Sequence, residues 1–175
     1  GAPRWSAIAA GVLAAVGIAV FTRALGTLTN YDESVYLASL DALRRGQELG
    51  GEVYTSQPPV FYWLLRAVAA PFGSSIEGIR LGFALVGLGG VLAAVALGWR
   101  LYAPAAGVLA GALLVAGPPY PANAPVVAAD VPSVALGLLA LALLAFALGT
   151  TGTRRDALAT CAGAVLLAAV GTKLL

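Results

Sequence analysis

Apolar positions along the chain fall into five long runs that are separated by polar segments. The runs cover residues 5–25, 79–100, 104–118, 128–148 and 156–175. A helix needs about 20 predominantly apolar residues to cross a bilayer, and only the run 104–118 is short for that purpose unless its flanks extend it. The pattern therefore predicts an all-α fold, a polytopic helical bundle in a single membrane domain.

The polar-mixed segment 26–78 joins the first two runs and contains most of the acidic residues. Apolar side chains recur at helical spacing between Glu33 and Arg45. Asn30 with Glu33 resembles a capping box at the start of this helix, and Gly46 is a suitable stop. We expect an amphipathic helix on the membrane surface, with its apolar face toward the bilayer.

A second short helix is predicted over residues 60–70, directly after Pro58 and Pro59. Proline suits the first turn of a helix, because the N–H that it lacks would have no intrahelical partner there. Pro71, Phe72 and Gly73 end the segment. Segment 26–78 is thus predicted to be an outer loop with two surface helices.

The composition agrees with a membrane protein and excludes several kinds of site. Hydrophobic residues make up 60% and charged residues 10% of the chain, whereas soluble domains carry about 25% charged residues. The formal net charge of +2 is too small to indicate nucleic-acid binding. With no histidine and a single cysteine, Cys161, imidazole triads, imidazole zinc sites and internal disulfides are excluded. The missing methionine leads us to expect a fragment of a longer chain, without a complete active site of its own.

The basic residues outside the apolar runs are divided almost equally between the two sides of the membrane. One side would carry Arg4, Arg100, Arg154 and Arg155, and the other side would carry the five arginines of the outer loop and its borders. The four lie in short loops, where the positive-inside rule applies best. We therefore expect the outer loop to lie outside the cytoplasm, in a multi-pass protein of the plasma membrane.

This topology predicts that several polar side chains share the outer face. They are Asp32, Glu33, Gln57, Arg80, Asp130 and Lys173. Charged groups at membrane depth are costly and tend to mark functional sites. A carboxylate can act as a general base or bind a divalent cation, so Asp32 and Asp130 are also candidate metal ligands. Cations on the same face are suited to holding a phosphate.

Each candidate also has a structural interpretation. Asp32 is suited to the positive end of a helix, and Asp130 is nearly as suited to a plain N-cap as to a site. Arg80 at a helix end can extend its guanidinium toward the headgroups. Lys173 at a membrane boundary is more typical of an anchor than of a ligand.

The order of motifs resembles the amino-terminal part of a GT-C glycosyltransferase, in the family of protein O-mannosyltransferases and aminoarabinose lipid A transferases. The resemblance rests on short motifs in a fixed order: Asp32-Glu33 with Tyr36, Arg45-Gly46, Gln57-Pro58-Pro59 before the aromatic Phe61-Tyr62-Trp63, Phe72-Gly73, Arg80-Leu81-Gly82, Asp130-Val131-Pro132 and Thr172-Lys173. Some members of that family have lysine where Gln57 stands, which puts a phosphate-binding role for Gln57 in doubt.

The resemblance implies that a polyprenyl-phosphate sugar is the donor and that an acceptor lipid, glycan or protein receives the sugar on the outer face, with inversion. Asp32 would be the base, with Glu33 and Asp130 assisting it or binding a divalent metal ion. Tyr36, Gln57, Arg80 and Lys173 would bind substrate. The alternative is a non-catalytic multi-span protein, such as a transporter segment or an assembly subunit. Internal repeats would favour a transporter, and the sequence has no clear repeat.

Overall fold

The computed structural model describes residues 2–23, 25–26 and 31–173 of the chain. The predicted cap at Asn30 lies outside these residues. Eight α-helices follow one another along the described chain: α1 (Ala2–Thr22), α2 (Tyr31–Arg44), α3 (Pro59–Ala69), α4 (Ile76–Leu101), α5 (Pro104–Ala116), α6 (Pro119–Asn123), α7 (Asp130–Ala147) and α8 (Gly152–Thr172). The same residues contain no β-strand beyond an isolated bridge between Leu49 and Val53. The predicted all-α fold class is confirmed.

Three of the helices are long and apolar enough to cross a membrane, namely α4, α7 and α8. The apolar part of α1, Ala7–Thr22, and the 13-residue helix α5 are shorter. At about 1.5 Å per residue, α5 extends for about 20 Å, against about 30 Å for the hydrocarbon core. The division into five spans with an outer loop at 26–78 stays a prediction.

Small residues allow the membrane helices to approach closely. Helix α4 packs against α1, α5 and α7, and α7 packs against α8. A Cβ atom on Gly98 would lie 2.8 Å from the Cα of Gly107, and one on Gly107 would lie 2.9 Å from the backbone nitrogen of Trp99. Such contacts are typical of membrane helices, where close van der Waals packing replaces the hydrophobic driving force.

Residues 31–78 fold with parts of α4 and of the segment before α7 into a second packed region, which we call the outer layer. Its core contains buried residues of α2, of the segment between α2 and α3, of α3, of the start of α4 and of the segment before α7: Tyr36, Leu40, Leu43, Val53, Phe61, Tyr62, Leu65, Ala69, Ile79, Phe83, Val127 and Ala129. The rings of Tyr36 and Phe61 meet edge to face at a centroid distance of 4.8 Å. The apolar face of α2 is therefore buried against protein, which differs from the expected orientation toward the bilayer. Aromatic side chains of α3 fill the space beneath it.

The ends of the two surface helices follow the predicted turn chemistry. Helix α2 is followed by Gly46 at φ 90°, a left-handed conformation that favours glycine. Helix α3 begins at Pro59, continues into a 3₁₀ turn over Ala70–Phe72 and stops at Gly73, which has φ 58°.

Candidate functional site

Glu33 and Arg80 form a buried ion pair between the first turn of α2 and the first turns of α4. The Nε of Arg80 donates to Oε1 of Glu33 at 2.9 Å, and its Nη2 donates to Oε2 at 2.6 Å. The Glu33 side chain is 1% exposed and that of Arg80 is 4% exposed. This two-point geometry matches the planar guanidinium to the carboxylate. The pair therefore fixes where α2 begins relative to α4.

Two backbone groups extend this ion pair to other parts of the chain. The N–H of Val127 donates to Oε1 of Glu33 at 3.1 Å, and Nη1 of Arg80 donates to the carbonyl of Leu25 at 2.6 Å. Val127 lies three residues before Asp130, which is the first residue of α7. Glu33 thus connects the start of α2 to the segment that leads into α7.

Asp32 precedes Glu33 in the first turn of α2 and its side chain is exposed. The carboxylate makes no hydrogen bond or ion pair with any residue in the described ranges. The two adjacent acids are therefore in contrasting environments. Glu33 is buried and paired, whereas Asp32 is accessible from solvent.

Asp130 and Lys173 come together from the start of α7 and the end of α8. The Nζ of Lys173 donates to Oδ1 of Asp130 in an ion pair whose side chains are 33% and 60% exposed, respectively. Ala129 is the N-cap residue of α7, and Asp130 makes no capping hydrogen bond. The structural interpretation of Asp130 as a plain N-cap is therefore wrong, because its carboxylate is directed to another helix.

Lys173 also lines two cavities on this face. The first has a volume of about 310 Å³ and is bordered by α6, the start of α7 and Lys173. The second has a volume of about 520 Å³ and is bordered by residues 55–59 and Lys173. One cation therefore borders both spaces. Since Gln57 is in the lining of the second cavity, the structure brings Gln57, Asp130 and Lys173 to neighbouring positions.

Gln57 is oriented by Tyr36, another of the predicted substrate-binding residues. The Nε2 of Gln57 donates to the phenolic oxygen of Tyr36 at 3.0 Å. Tyr36 is buried in the outer layer, with 5% of its surface exposed. Its hydroxyl therefore acts here as a fixed acceptor that positions the Gln57 amide at the cavity edge.

Tyr120 was not singled out from the sequence, although it lines the first cavity. Its hydroxyl donates to the carbonyl of Gly87 at 2.8 Å. Burial raises the pKa of Tyr120 to about 12, so the phenol is neutral at physiological pH. The only sequence signal was its position among the prolines that interrupt the helix after α5.

The predicted metal ligands do not form an evident cation site. Within residues 2–23, 25–26 and 31–173, no group of three or more acidic or thiol side chains is arranged to hold a metal ion. The charge of Asp130 is already balanced by Lys173. We therefore derive no step through a metal ion, and the divalent cation stays a prediction.

Comparison with known families agrees with the motifs. Residues 56–173 match the model of the dolichyl-phosphate-mannose-protein mannosyltransferase family, which covers about two thirds of the chain. The match includes Gln57, Arg80, Asp130 and Lys173, while Asp32 and Glu33 precede it. No curated protein and no solved structure matches the chain. The chain is therefore a membrane-integral member of the dolichyl-phosphate-mannose-protein mannosyltransferase family of glycosyltransferases.

Proposed function

We propose that this chain forms part of the active site of a glycosyltransferase that moves a sugar from a polyprenyl-phosphate donor to an acceptor hydroxyl or phosphate on the outer face of the plasma membrane. The acceptor belongs to a lipid, a glycan or a protein. The observation that carries the proposal is the position of Lys173, which lines both cavities and pairs with Asp130. The family description, which names a lipid-linked mannose, supports mannose as the first sugar to test.

Lys173 is the proposed phosphate-binding residue. An ammonium group has three N–H donors, and the ammonium of Lys173 makes a single hydrogen bond, to Asp130, among the described residues. The others are available to phosphate oxygens. Negative charge grows on the phosphate as the sugar leaves, and a cation already in position stabilises that charge. Gln57 supplies a neutral amide at the same cavity, held by Tyr36.

Asp32 is the proposed general base. It would accept the proton of the acceptor as the acceptor oxygen attacks the anomeric carbon from the side opposite the phosphate. The bond from that carbon to the phosphate oxygen breaks, its electron pair stays on the phosphate, and the configuration inverts. The exposed carboxylate of Asp32 supports this role, since a base must be accessible to the acceptor.

Glu33 and Arg80 are proposed as positioning residues. Their buried pair sets the rotation and depth of the first turn of α2, on which Asp32 is carried. Arg80 as a direct substrate ligand and Glu33 as a direct participant in catalysis stay predictions from the sequence. The burial of both side chains favours the positioning role.

The test uses the full-length protein in membranes with radiolabelled polyprenyl-phosphate mannose. Asp32→Asn keeps the size of the side chain and removes the base, so transfer should fall by about 10²- to 10⁴-fold. Asp41→Asn is the matched control, because Asp41 lies on the same helix, is exposed and pairs only with Arg45 among the described residues. Transfer by the control should equal that of wild type.

Four other outcomes would separate the parts of the proposal. Equal transfer by wild type and Asp32→Asn would show that Asp32 is not the base. Lys173→Gln should raise the KM for the donor, and an unchanged KM would refute the phosphate-binding role. Transfer that EDTA abolishes and Mg²⁺ or Mn²⁺ restores would support the predicted divalent cation. Absence of transfer by every form that inserts into the membrane would support the non-catalytic alternative.

A further inference from the structure

Arg100 occupies a cavity at the end of the bundle opposite the candidate site. The cavity has a volume of about 450 Å³ and is lined by Ala96, Trp99, Arg100 and Phe146, which we call the Arg100 cluster. The guanidinium carbon of Arg100 lies 6.0 Å from the centre of the Phe146 ring. Arg100 makes no hydrogen bond or ion pair with any described residue. A delocalised cation is thus held against an aromatic ring without an anionic partner.

Position at a helix end does not by itself explain the Arg100 cluster. A basic residue in the last turn of α4 is favourable to the helix dipole wherever its side chain points. Arg100 instead extends across to the end of α7, where its guanidinium lies so close to Gly149 that a Cβ atom there would overlap it. Phe146 and Gly149 therefore hold the cation in one direction, toward a shared cavity.

Two further arginines stand beside this end of the bundle. Gly149 belongs to the short turn between α7 and α8, and Arg154 and Arg155 follow in the first turn of α8. Cations at a helix N-terminus are unfavourable, since that end carries positive partial charge. The N-cap residue Thr151 makes no side-chain capping bond there. Asp156 follows the two arginines and is also exposed, so the three side chains leave a net positive charge at this helix end. An anion here would be favoured by that charge and by the helix end together.

The rest of the cavity is apolar. Trp99 is 39% exposed and Phe146 is 41% exposed, although both are large aromatic residues. Amphipathic tryptophan at the end of a membrane helix is typical of the headgroup level of a bilayer. An inorganic anion would pair with the cations but would not cover the rings. A molecule with a phosphate and attached acyl chains would cover the rings and pair with the cations.

We propose that the Arg100 cluster, together with Arg154 and Arg155, binds the headgroup phosphate of an anionic phospholipid. The phosphate pairs with the Arg100 guanidinium, and the parts of the acyl chains next to the headgroup lie along Trp99 and Phe146. The site is separate from the cavities at Lys173 and does not depend on the sugar-transfer proposal. It is an interaction between this end of the bundle and the bilayer leaflet that surrounds it.

The test is photo-crosslinking of the full-length protein in phosphatidylcholine nanodiscs. A small fraction of photoactivatable phosphatidylglycerol, with its reactive group near the headgroup, is added, and crosslinked peptides are mapped by mass spectrometry. Crosslinks should concentrate at residues 96–102 and 146–149. Arg100→Gln should lower their yield by about fivefold, the effect expected for one basic residue near an anionic membrane surface.

Controls make each outcome decisive. Arg66→Gln changes an exposed arginine of α3, which belongs to the outer layer and not to the Arg100 end of the bundle. It should leave the yield unchanged. Arg154→Gln with Arg155→Gln alters two exposed side chains without disturbing the core and should also lower the yield. Equal yield from photoactivatable phosphatidylcholine, or an unchanged yield in both arginine variants, would overturn the proposal. Competition by inorganic phosphate would identify a free-anion site instead, and this too would overturn it.

Discussion

The outer layer and the bundle of membrane helices are packed by different means. The outer layer buries large side chains, including Phe61, Tyr62 and Phe83, and it encloses the Glu33–Arg80 ion pair. The membrane helices also bury larger residues such as Leu88 and Val91, but at other contacts they meet through small residues, as at Gly98 and Gly107. The outer layer is thus built like the interior of a soluble domain, whereas the bundle is built for close backbone approach.

This difference follows from the two solvents. Next to water, burying aromatic and aliphatic area is itself favourable, so bulky residues stabilise the outer layer. In lipid, the surroundings are as apolar as the side chains, so helices associate through packing that only small residues permit. The outer layer should therefore be sensitive to lost contacts and lost charge pairs, and the bundle should be sensitive to added atoms.

The largest effect is expected for Arg80→Leu in the outer layer. The substitution removes the guanidinium from a buried carboxylate, which typically costs about 3–5 kcal/mol. Thermal unfolding in detergent should register this loss as a clearly lower Tm. The double variant Glu33→Leu with Arg80→Leu should recover much of the stability, because neither charge is then buried. If the single and double variants unfold alike, the ion pair is not what holds the outer layer together.

A smaller effect is expected for Gly107→Ala in the bundle. The added methyl group would meet the backbone of α4 near Trp99, and overpacking of this kind costs about 1–3 kcal/mol. The matched control is Gly89→Ala, where a Cβ atom would meet nothing within 4 Å. Since alanine favours a helix, the control should be neutral or slightly stabilising. Equal destabilisation by the two substitutions would refute close packing at Gly107.

The smallest effect at neutral pH is expected at Tyr120, which packs against the core of the bundle. Its pKa is raised to about 12 in the folded protein, above the ordinary value of about 10. Its contribution to stability is complete below about pH 10 and should fall as the pH approaches 12, because the unfolded chain ionises first. The Tm of the wild type should therefore fall between about pH 10 and pH 12, and Tyr120→Phe should remove the part of this fall that comes from the tyrosine. An identical decline in wild type and variant would show that Tyr120 does not contribute.

Local features of the fold could be predicted from the sequence because they depend on neighbouring residues. Apolar runs identified α4, α7 and α8, while Pro59 and Gly46 marked a helix start and a helix stop that the structure contains. The polarity pattern of α2 also showed which face is buried. It did not show that the covering surface would be α3 instead of lipid, because an apolar stripe is compatible with either.

Pairings between distant residues could not be predicted in the same way. The sequence grouped Glu33, Arg80, Asp130 and Lys173 on one face, but gave no reason to pair the first with the second and the third with the fourth. Partners separated by 47 and 43 positions are selected by helix packing. Asp32 is exposed and Gln57 lines a cavity, but their predicted roles await the transfer experiment.

The hydrogen bonds of Glu33 have a consequence for the register of α2. Successive residues on an α-helix differ in direction by about 100°, so the two adjacent acids cannot point the same way. If α2 were to rotate by one residue, Asp32 would approach Arg80 with a side chain that is one methylene shorter. It would then not reach the guanidinium and the Val127 N–H with the same geometry. Only the longer acid, Glu33, can make these hydrogen bonds, so they are compatible with a single rotation of α2 about its axis. In that rotation the shorter acid, Asp32, faces outward.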